Sequence, residues 1–218
     1  PQLVLYFTHG FFLSCSSNSF ASGVARKALM VFRAPDRSPW AACSMARRSP
    51  LAFCCCSRAF SWVASGALAI RLAAFRLKPD CILHLGDYYA DGFDLKQEFP
   101  KAEFYQVPGN CDAYGCSPDK PLILMPKIGG LNIYMTHGHR HNVKLTTALL
   151  LRDARNCGAD IVLYGHTHIP ECYQEKDGLW VMNPGSAGYG RTAGLLEIEN
   201  GKVVQAKILT DSDLEGLA

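Results

Sequence analysis

The chain has 218 residues, of which 49% are hydrophobic and 19% are charged, and its formal net charge is +3. This length suits one sizeable α/β domain or two small ones, and the apolar content excludes wholesale disorder. No run of about 18 or more residues is both apolar and free of charge, so no transmembrane helix and no membrane partner are predicted.

The charge is unevenly distributed along the chain. Residues 1–79 contain 10 Lys and Arg but a single acid, Asp36, whereas residues 80–218 contain 12 Lys and Arg and 18 Asp and Glu. A basic arm can bind nucleic acid, yet this one has no RNA- or DNA-binding motif, so no nucleic-acid partner is expected. The ten cysteines form no zinc-finger CxxC pair, and the five after residue 60 are interpreted as reduced thiols of a cytoplasmic protein.

The first 65 residues divide into a strand and an irregular stretch. The apolar run Gln2–Phe7 predicts a buried strand, and Thr8-His9-Gly10 follows it. Residues 11–65 are rich in Ser, Arg, Ala and Cys and show no sustained helical or strand period. Three explanations of this stretch remain open: a mistranslated segment, a disordered insertion and a targeting segment. Residues 66–77 then predict a helix.

From residue 81 onward, short apolar strands each end in a polar cluster. Strands are predicted at residues 81–85, 104–107, 131–136 and 161–164, a helix at residues 146–156, and hairpins around residues 129–130 and 200–201. The polar residues at the four strand ends are Asp87, Asn110, His137, and His166 with His168. Ligands of open α/β sheets bind at the carboxyl ends of strands, so these clusters are predicted to form one site.

The clusters together supply three imidazoles, one carboxylate and one amide oxygen. His166 and His168 are two residues apart, so they would share a face if the segment is extended. This ligand set suits a divalent transition ion such as Mn²⁺, Fe²⁺, Zn²⁺ or Ni²⁺. The predicted cofactor is a divalent cation, with Mn²⁺ favoured and Ni²⁺, Fe²⁺, Zn²⁺ or Mg²⁺ as alternatives. Two ions about 3.5–4 Å apart are a common device for cleaving phosphate esters. Each cluster alone is also consistent with a turn or a surface histidine, and their conjunction favours the metal site.

The ordered motifs carry a specific resemblance. The series GD (86–87), GNCD (109–112), THGH (136–139), GHTH (165–168) and NPGS (183–186) resembles the calcineurin-like metallophosphoesterase superfamily, in particular its YfcE-type phosphodiesterase branch. The resemblance implies an α/β fold, a β-sandwich of two mixed sheets flanked by helices. It also implies hydrolysis of a small soluble phosphodiester by metal-bound hydroxide at a dinuclear site, in a cytoplasmic enzyme that can form homo-oligomers.

The same resemblance implies roles for individual residues. Six residues are implied to bind the two ions: His9, Asp87, Asn110, His137, His166 and His168. Asp87 would bridge the two ions. His9 and His168 would bind one ion, and Asn110, His137 and His166 would bind the other. The candidate catalytic residues are Asp87, Asn110, His137 and His139, and the candidate substrate contacts are Asn110, His139 and Arg191. For His139 and Arg191, a supporting or solvent-facing role is the alternative.

Three departures from the family pattern bear on function. The family opens with Asp-x-His-Gly, but Phe7 stands at the Asp position, and 78 residues separate His9 from Asp87. Cys111 stands where many monoesterases have histidine, which favours phosphodiesters as substrates. Phe7 leaves open the alternative of a weak or inactive relative that serves as a metal-binding scaffold or binding module.

The sequence therefore predicts four segments. Residues 1–10 form the first strand and a partial metal motif, and residues 11–65 form the irregular segment. Residues 66–210 form the metallophosphoesterase domain, and residues 211–218 form a C-terminal tail.

Overall fold

The computed structural model describes residues 2–7, 71, 74–112, 119–210 and 212–213. In chain order its elements are β1 (Gln2–Phe7), β2 (Cys81–His84), α1 (Asp91–Glu98), β3 (Glu103–Gln106), β4 (Ile123–Leu124), β5 (Lys127–Ile128), β6 (Leu131–Thr136), α2 (Ala148–Asn156), β7 (Ile161–Leu163), β8 (Glu171–Gln174), β9 (Trp180–Asn183), β10 (Ala193–Glu199) and β11 (Lys202–Leu209). Arg71 and residues 74–77 are also helical.

The strands form two mixed sheets. The first has the order β11-β10-β1-β2-β3, and the second has the order β4-β6-β7-β9-β8, with β5 paired to β6. β1, β2 and β3 are parallel to one another, as are β6, β7 and β9. The remaining pairings are antiparallel. The predicted sandwich of two mixed sheets is confirmed.

The alternation of side chains along the strands builds the sandwich. In β6, Ile133 and Met135 face the core between the sheets, whereas Tyr134 faces the opposite side. Tyr134 packs there with Leu150 and Ala154 of α2, so this helix covers the outer face of the second sheet. Leu95 of α1 and Ala74 cover the outer face of the first sheet in the same way. Parallel strands buried on both faces explain the continuous apolar runs of β2 and β7.

Several element boundaries differ from the sequence predictions. On the first side of the hairpin predicted around residues 129–130, the chain forms two short strands, β4 and β5, which are separated at Pro126, a residue with no N–H to donate to a ladder. The predicted helix at residues 146–156 begins at Ala148. The hairpin between β10 and β11 is confirmed, and Asn200 and Gly201 at its turn both have positive φ, as a type I′ turn requires.

The parallel strands direct the functional loops to one end of the sandwich. The loops after β2, β3, β6, β7 and β9 all leave the carboxyl ends of parallel strands. The N–H of Gly165 donates to the carbonyl oxygen of His137 at 3.1 Å, which ties two of these loops together.

The predicted irregular segment at residues 11–65 lies outside the described residues. Among the helices that the structure describes, none has both the length and the apolar character of a bilayer span.

Candidate metal centre

The loop after β2 brings the Asp87 carboxylate into the interior. Gly86, Asp87 and Tyr88 all have positive φ, at 96°, 61° and 58°, so the chain turns sharply as it leaves the strand. Such backbone is costly for residues other than glycine and is concentrated at functional sites. Asp87 is buried, and its Oδ1 accepts a hydrogen bond from the N–H of Cys111 at 3.0 Å. This hydrogen bond helps to orient the carboxylate.

Two glycines allow the loops to approach this closely. A Cβ on Gly86 would lie 2.7 Å from Nδ1 of His137, and a Cβ on Gly109 would overlap the Asp87 carboxylate. Gly86 and Gly109 therefore do more than permit turns, because they leave the space in which the Asp87 and His137 side chains meet.

Asp112 joins the loop after β2 to the loop after β3. Its Oδ1 accepts from the N–H of Tyr89 at 2.8 Å, and its Oδ2 accepts from the N–H of Gly109 at 2.7 Å. Asp112 is buried, so both hydrogen bonds are shielded from water. Asp112 is part of the GNCD motif, but the family resemblance implies no role for it. The contact to Gly109 is local, whereas the contact to Tyr89 depends on the pairing of β2 with β3 and could not be seen in the sequence.

His137 is fully buried and uses only one nitrogen for structure. Its Nδ1 lies 2.7 Å from the carbonyl oxygen of Leu85. A carbonyl oxygen only accepts, so Nδ1 carries a proton, and in the singly protonated ring that a metal ligand requires Nε2 presents a lone pair. Nε2 lies 3.2 Å from Oδ1 of Asn110 and 3.5 Å from Oδ2 of Asp87. With His137 in this form, three electron-rich atoms converge, an arrangement that fits a bound divalent cation.

The GHTH loop is placed beside this cluster. The rings of His166 and His137 have centroids 5.1 Å apart. The expectation that His166 and His168 lie on an extended segment is wrong: both have positive φ, at 68° and 60°, so the backbone curls at each histidine. Asn183 supports this curl, because its Nδ2 donates to the carbonyl oxygen of Gly165 at 3.2 Å and to Oγ1 of Thr167 at 2.9 Å. The NPGS motif therefore shapes the GHTH loop.

The surroundings of the site favour the neutral form of His139, His166 and His168. Burial, followed by the electrostatic effects of His137 and Lys144, lowers the pKa of His166 to about 4. Burial is also the main cause that lowers the pKa values of His168 and His139. Neutral imidazole is the form that binds metal ions, so these histidines keep their ligand form below their usual pKa. Lys144 is a cation near the site that the motifs did not reveal.

His139, Arg191 and His9 are the remaining candidate residues. The His139 ring lies 5.4 Å from that of His137, centroid to centroid, and its buried Nδ1 has no hydrogen-bond partner among the described residues. Arg191 follows the NPGS turn with φ 50° and is partly buried. His9 lies outside the described residues. Within the part of the chain that the structure describes, no three or more His, Cys, Asp and Glu side chains meet as a ready-made metal cluster, so the Asn110 amide belongs to the candidate set.

Comparisons with known proteins follow the same motifs. A family model described as the calcineurin-like phosphoesterase superfamily domain matches residues 66–201. The Bacillus subtilis protein named "Probable metallophosphoesterase YsnB" is 35% identical over 108 residues, which cover 49% of this chain and 59% of that protein. A phosphodiesterase of Methanocaldococcus jannaschii is 29% identical over 136 residues, which cover 55% of this chain and 77% of that protein. The chain thus spans less than two thirds of the Bacillus relative.

Solved structures show the same architecture. A Streptococcus pneumoniae protein described as a predicted phosphoesterase superposes with a TM-score of 0.52 at 25% identity, over 65% of this chain and 82% of that one. Vps29 of Entamoeba histolytica, solved as a complex with Zn²⁺, superposes with a TM-score of 0.56 at 18% identity, over 95% of this chain and 97% of its own. The second likeness bears on the fold alone. The fold, the ordered motifs and the family match over residues 66–201 agree, and the chain belongs to the calcineurin-like phosphoesterase superfamily.

Proposed function

We propose that this chain is a metal-dependent phosphodiesterase that hydrolyses a small phosphodiester. The observation that carries the proposal is the convergence of three lone-pair donors, with Nε2 of His137 lying 3.2 Å from Oδ1 of Asn110 and 3.5 Å from Oδ2 of Asp87. Converging donors at the carboxyl ends of parallel strands are suited to hold an ion where a substrate can reach it.

Each residue has a distinct part in this proposal. Asp87 would bridge two divalent ions, with Asn110, His137 and His166 on one of them and His168 on the other. When bound, the ions would supply an acidified water and neutralise charge on the phosphoryl oxygens. The chain orients the donors: the Leu85 carbonyl fixes the tautomer of His137, and the Cys111 N–H fixes the rotation of the Asp87 carboxylate. Mn²⁺ is the favoured ion, and Ni²⁺, Fe²⁺, Zn²⁺ and Mg²⁺ are alternatives.

The residue after Asn110 favours a diester over a monoester. Burial, followed by the charge of Asp87, raises the pKa of the Cys111 thiol to about 11. A group with this pKa is a weak proton donor to a leaving alkoxide at neutral pH, because efficient general acids have pKa values near the operating pH. The site is therefore suited to diesters whose leaving group departs without strong acid assistance.

The alternative is a weak or inactive relative that acts as a metal-binding scaffold or binding module. The observation that favours it is Phe7, which occupies the position of the family's first Asp and cannot coordinate an ion. This alternative predicts metal binding without hydrolysis, so one experiment separates the two functions.

The test combines metal analysis with a diester assay. The purified chain is stripped with chelator, reloaded with Mn²⁺ and assayed with bis(4-nitrophenyl) phosphate. We expect metal uptake and metal-dependent hydrolysis, and we expect Asp87→Ala to lose both, with a rate at least about 100-fold lower. Asp177→Ala is the matched control, because Asp177 is exposed and lies in the β8–β9 turn, at the end of β9 opposite to Asn183. Metal uptake without hydrolysis supports the scaffold, and no uptake contradicts both functions.

A further inference from the structure

Tyr189 lies at the rim of the candidate metal centre and presents its side chain to solvent. Its ring is stacked on the imidazole of His168, with centroids 5.7 Å apart and planes 17° from parallel. The residue is nevertheless 63% exposed. Aromatic rings carry a large apolar surface with a preferred stacking geometry, so an exposed ring fixed beside a site is suited to contact a ligand.

The turn that carries Tyr189 is held by one buried serine. Oγ of Ser186 accepts a hydrogen bond from the N–H of Tyr189 at 3.1 Å. The carbonyl oxygen of Ser186 accepts from the N–H groups of Gly190 and Thr192 at 3.0 and 3.2 Å. Because the turn is fixed by these bonds, little conformational freedom is lost when a ligand packs on the ring.

Two neighbouring side chains add an aliphatic surface and a positive charge to the rim. Ile169, the residue after His168, is 68% exposed. Lys144 places a positive charge close enough to act on both His166 and His168. An aromatic ring, an exposed aliphatic side chain and a cation together suit a ligand that is anionic at one end and apolar at the other.

We propose that Tyr189 is a stacking platform that gives the site a preference for phosphate esters carrying a planar aromatic ring, such as a nucleobase. This inference rests on the proposed function, because the phosphate of the ligand would lie at the Asp87–His137 cluster. The ring of the ligand would extend the parallel pair already formed by His168 and Tyr189. Stacking of a base on an aromatic side chain strengthens binding by roughly 5- to 150-fold.

The test compares two phosphates that differ only by the base. The Zn²⁺-loaded protein is titrated with adenosine 5′-monophosphate and with ribose 5-phosphate by calorimetry. We expect the nucleotide to bind at least about fivefold more tightly. Tyr189→Ala should remove this difference while leaving the affinity for ribose 5-phosphate unchanged, and Tyr189→Phe should keep it. Phe75→Ala is the control for loss of an exposed aromatic elsewhere, since Phe75 packs on Phe99 and is 55% exposed.

The outcomes separate the stacking role from the phosphoesterase assignment. In proton NMR of the Zn²⁺ complex, the adenine protons should shift upfield in the native protein and in Tyr189→Phe, but not in Tyr189→Ala. If ribose 5-phosphate binds but the nucleotide binds no more tightly, the stacking role alone is overturned. If Tyr189→Ala weakens both ligands equally, Tyr189 supports His168 and the stacking role is overturned as well. If neither phosphate binds, the stacking role and the proposed function fall together.

Discussion

The buried polar residues of the site differ in how far their partners can be inferred from local sequence. Asp87 and His137 were predicted from motifs that end strands, and the structure brings their side chains within 3.5 Å. The partner of Nδ1 of His137 is the carbonyl of Leu85, 52 residues earlier in the chain. Long-range contacts of this kind determine tautomer and orientation, and no local pattern encodes them. The motifs therefore identify candidate donors, whereas the tertiary contacts determine which lone pairs face one another.

Asp112 provides a test of the contact that joins two site loops. In Asp112→Asn one carboxylate oxygen becomes an NH₂ group, so either Tyr89 or Gly109 loses its acceptor in a buried environment. We expect the free energy of unfolding to fall by about 1–3 kcal/mol and metal affinity to fall about 10- to 100-fold. Urea unfolding and metal titration measure the two effects. Asp177→Asn is the control, because Asp177 accepts from Arg155 and from the N–H of Leu179 as Asp112 accepts from two groups, but in an exposed turn. An Asp112→Asn protein that matches this control in both measurements would refute the role of Asp112.

The elements that the sequence predicted are those with continuous apolar runs or strong turn residues. β2, β6 and β7 are buried and end where polar residues begin, so their ends could be located. α1 was not predicted, because only Gly92 and Leu95 are buried in it and it has no clear helical stripe. β8 was also missed, since it lies at the edge of its sheet and is only partly buried. Elements that bury few side chains leave little periodicity to detect.

The loops after β2 and β3 approach each other closely. We therefore expect a substitution at this contact to weaken metal binding, whereas a strained substitution elsewhere should lower stability alone. Gly109→Ala would drive a methyl group into the Asp87 carboxylate, so we expect metal affinity to fall at least about tenfold. Gly158→Ala is the matched control: no atom lies within 4 Å of its new Cβ, but φ is 69°. That strain should cost about 1 kcal/mol of unfolding free energy and leave metal binding intact. Thermal unfolding and metal titration of both variants check this, and unchanged metal affinity in Gly109→Ala would contradict the steric argument.

At the scale of the whole molecule, β1 completes the first sheet. It pairs parallel with β2 and antiparallel with β10, so an N-terminal strand and a C-terminal strand flank each other near the centre of that sheet. The sequence predicted the strand from its apolar run, but its position between β2 and β10 depends on the complete topology. In register, Phe7 stands opposite His84, at the same end of the sheet as the loop that carries Asp87. The family's first Asp would occupy this end.

We therefore expect the binding of a second ion to depend on position 7. A divalent ion held only by Asp87 and neutral imidazoles has less negative charge around it than the family pattern supplies, so it should bind more weakly and acidify water less. We expect the native chain to hold about one tight ion and to cleave bis(4-nitrophenyl) phosphate slowly. Phe7→Asp should raise metal occupancy and rate together, whereas Phe7→Asn, which adds a polar group without charge, should raise them much less. Metal titration and the diester assay on the three proteins measure metal occupancy and rate. Two tightly bound ions in the native chain, or unchanged occupancy and rate in Phe7→Asp, would show that position 7 does not contribute to the centre.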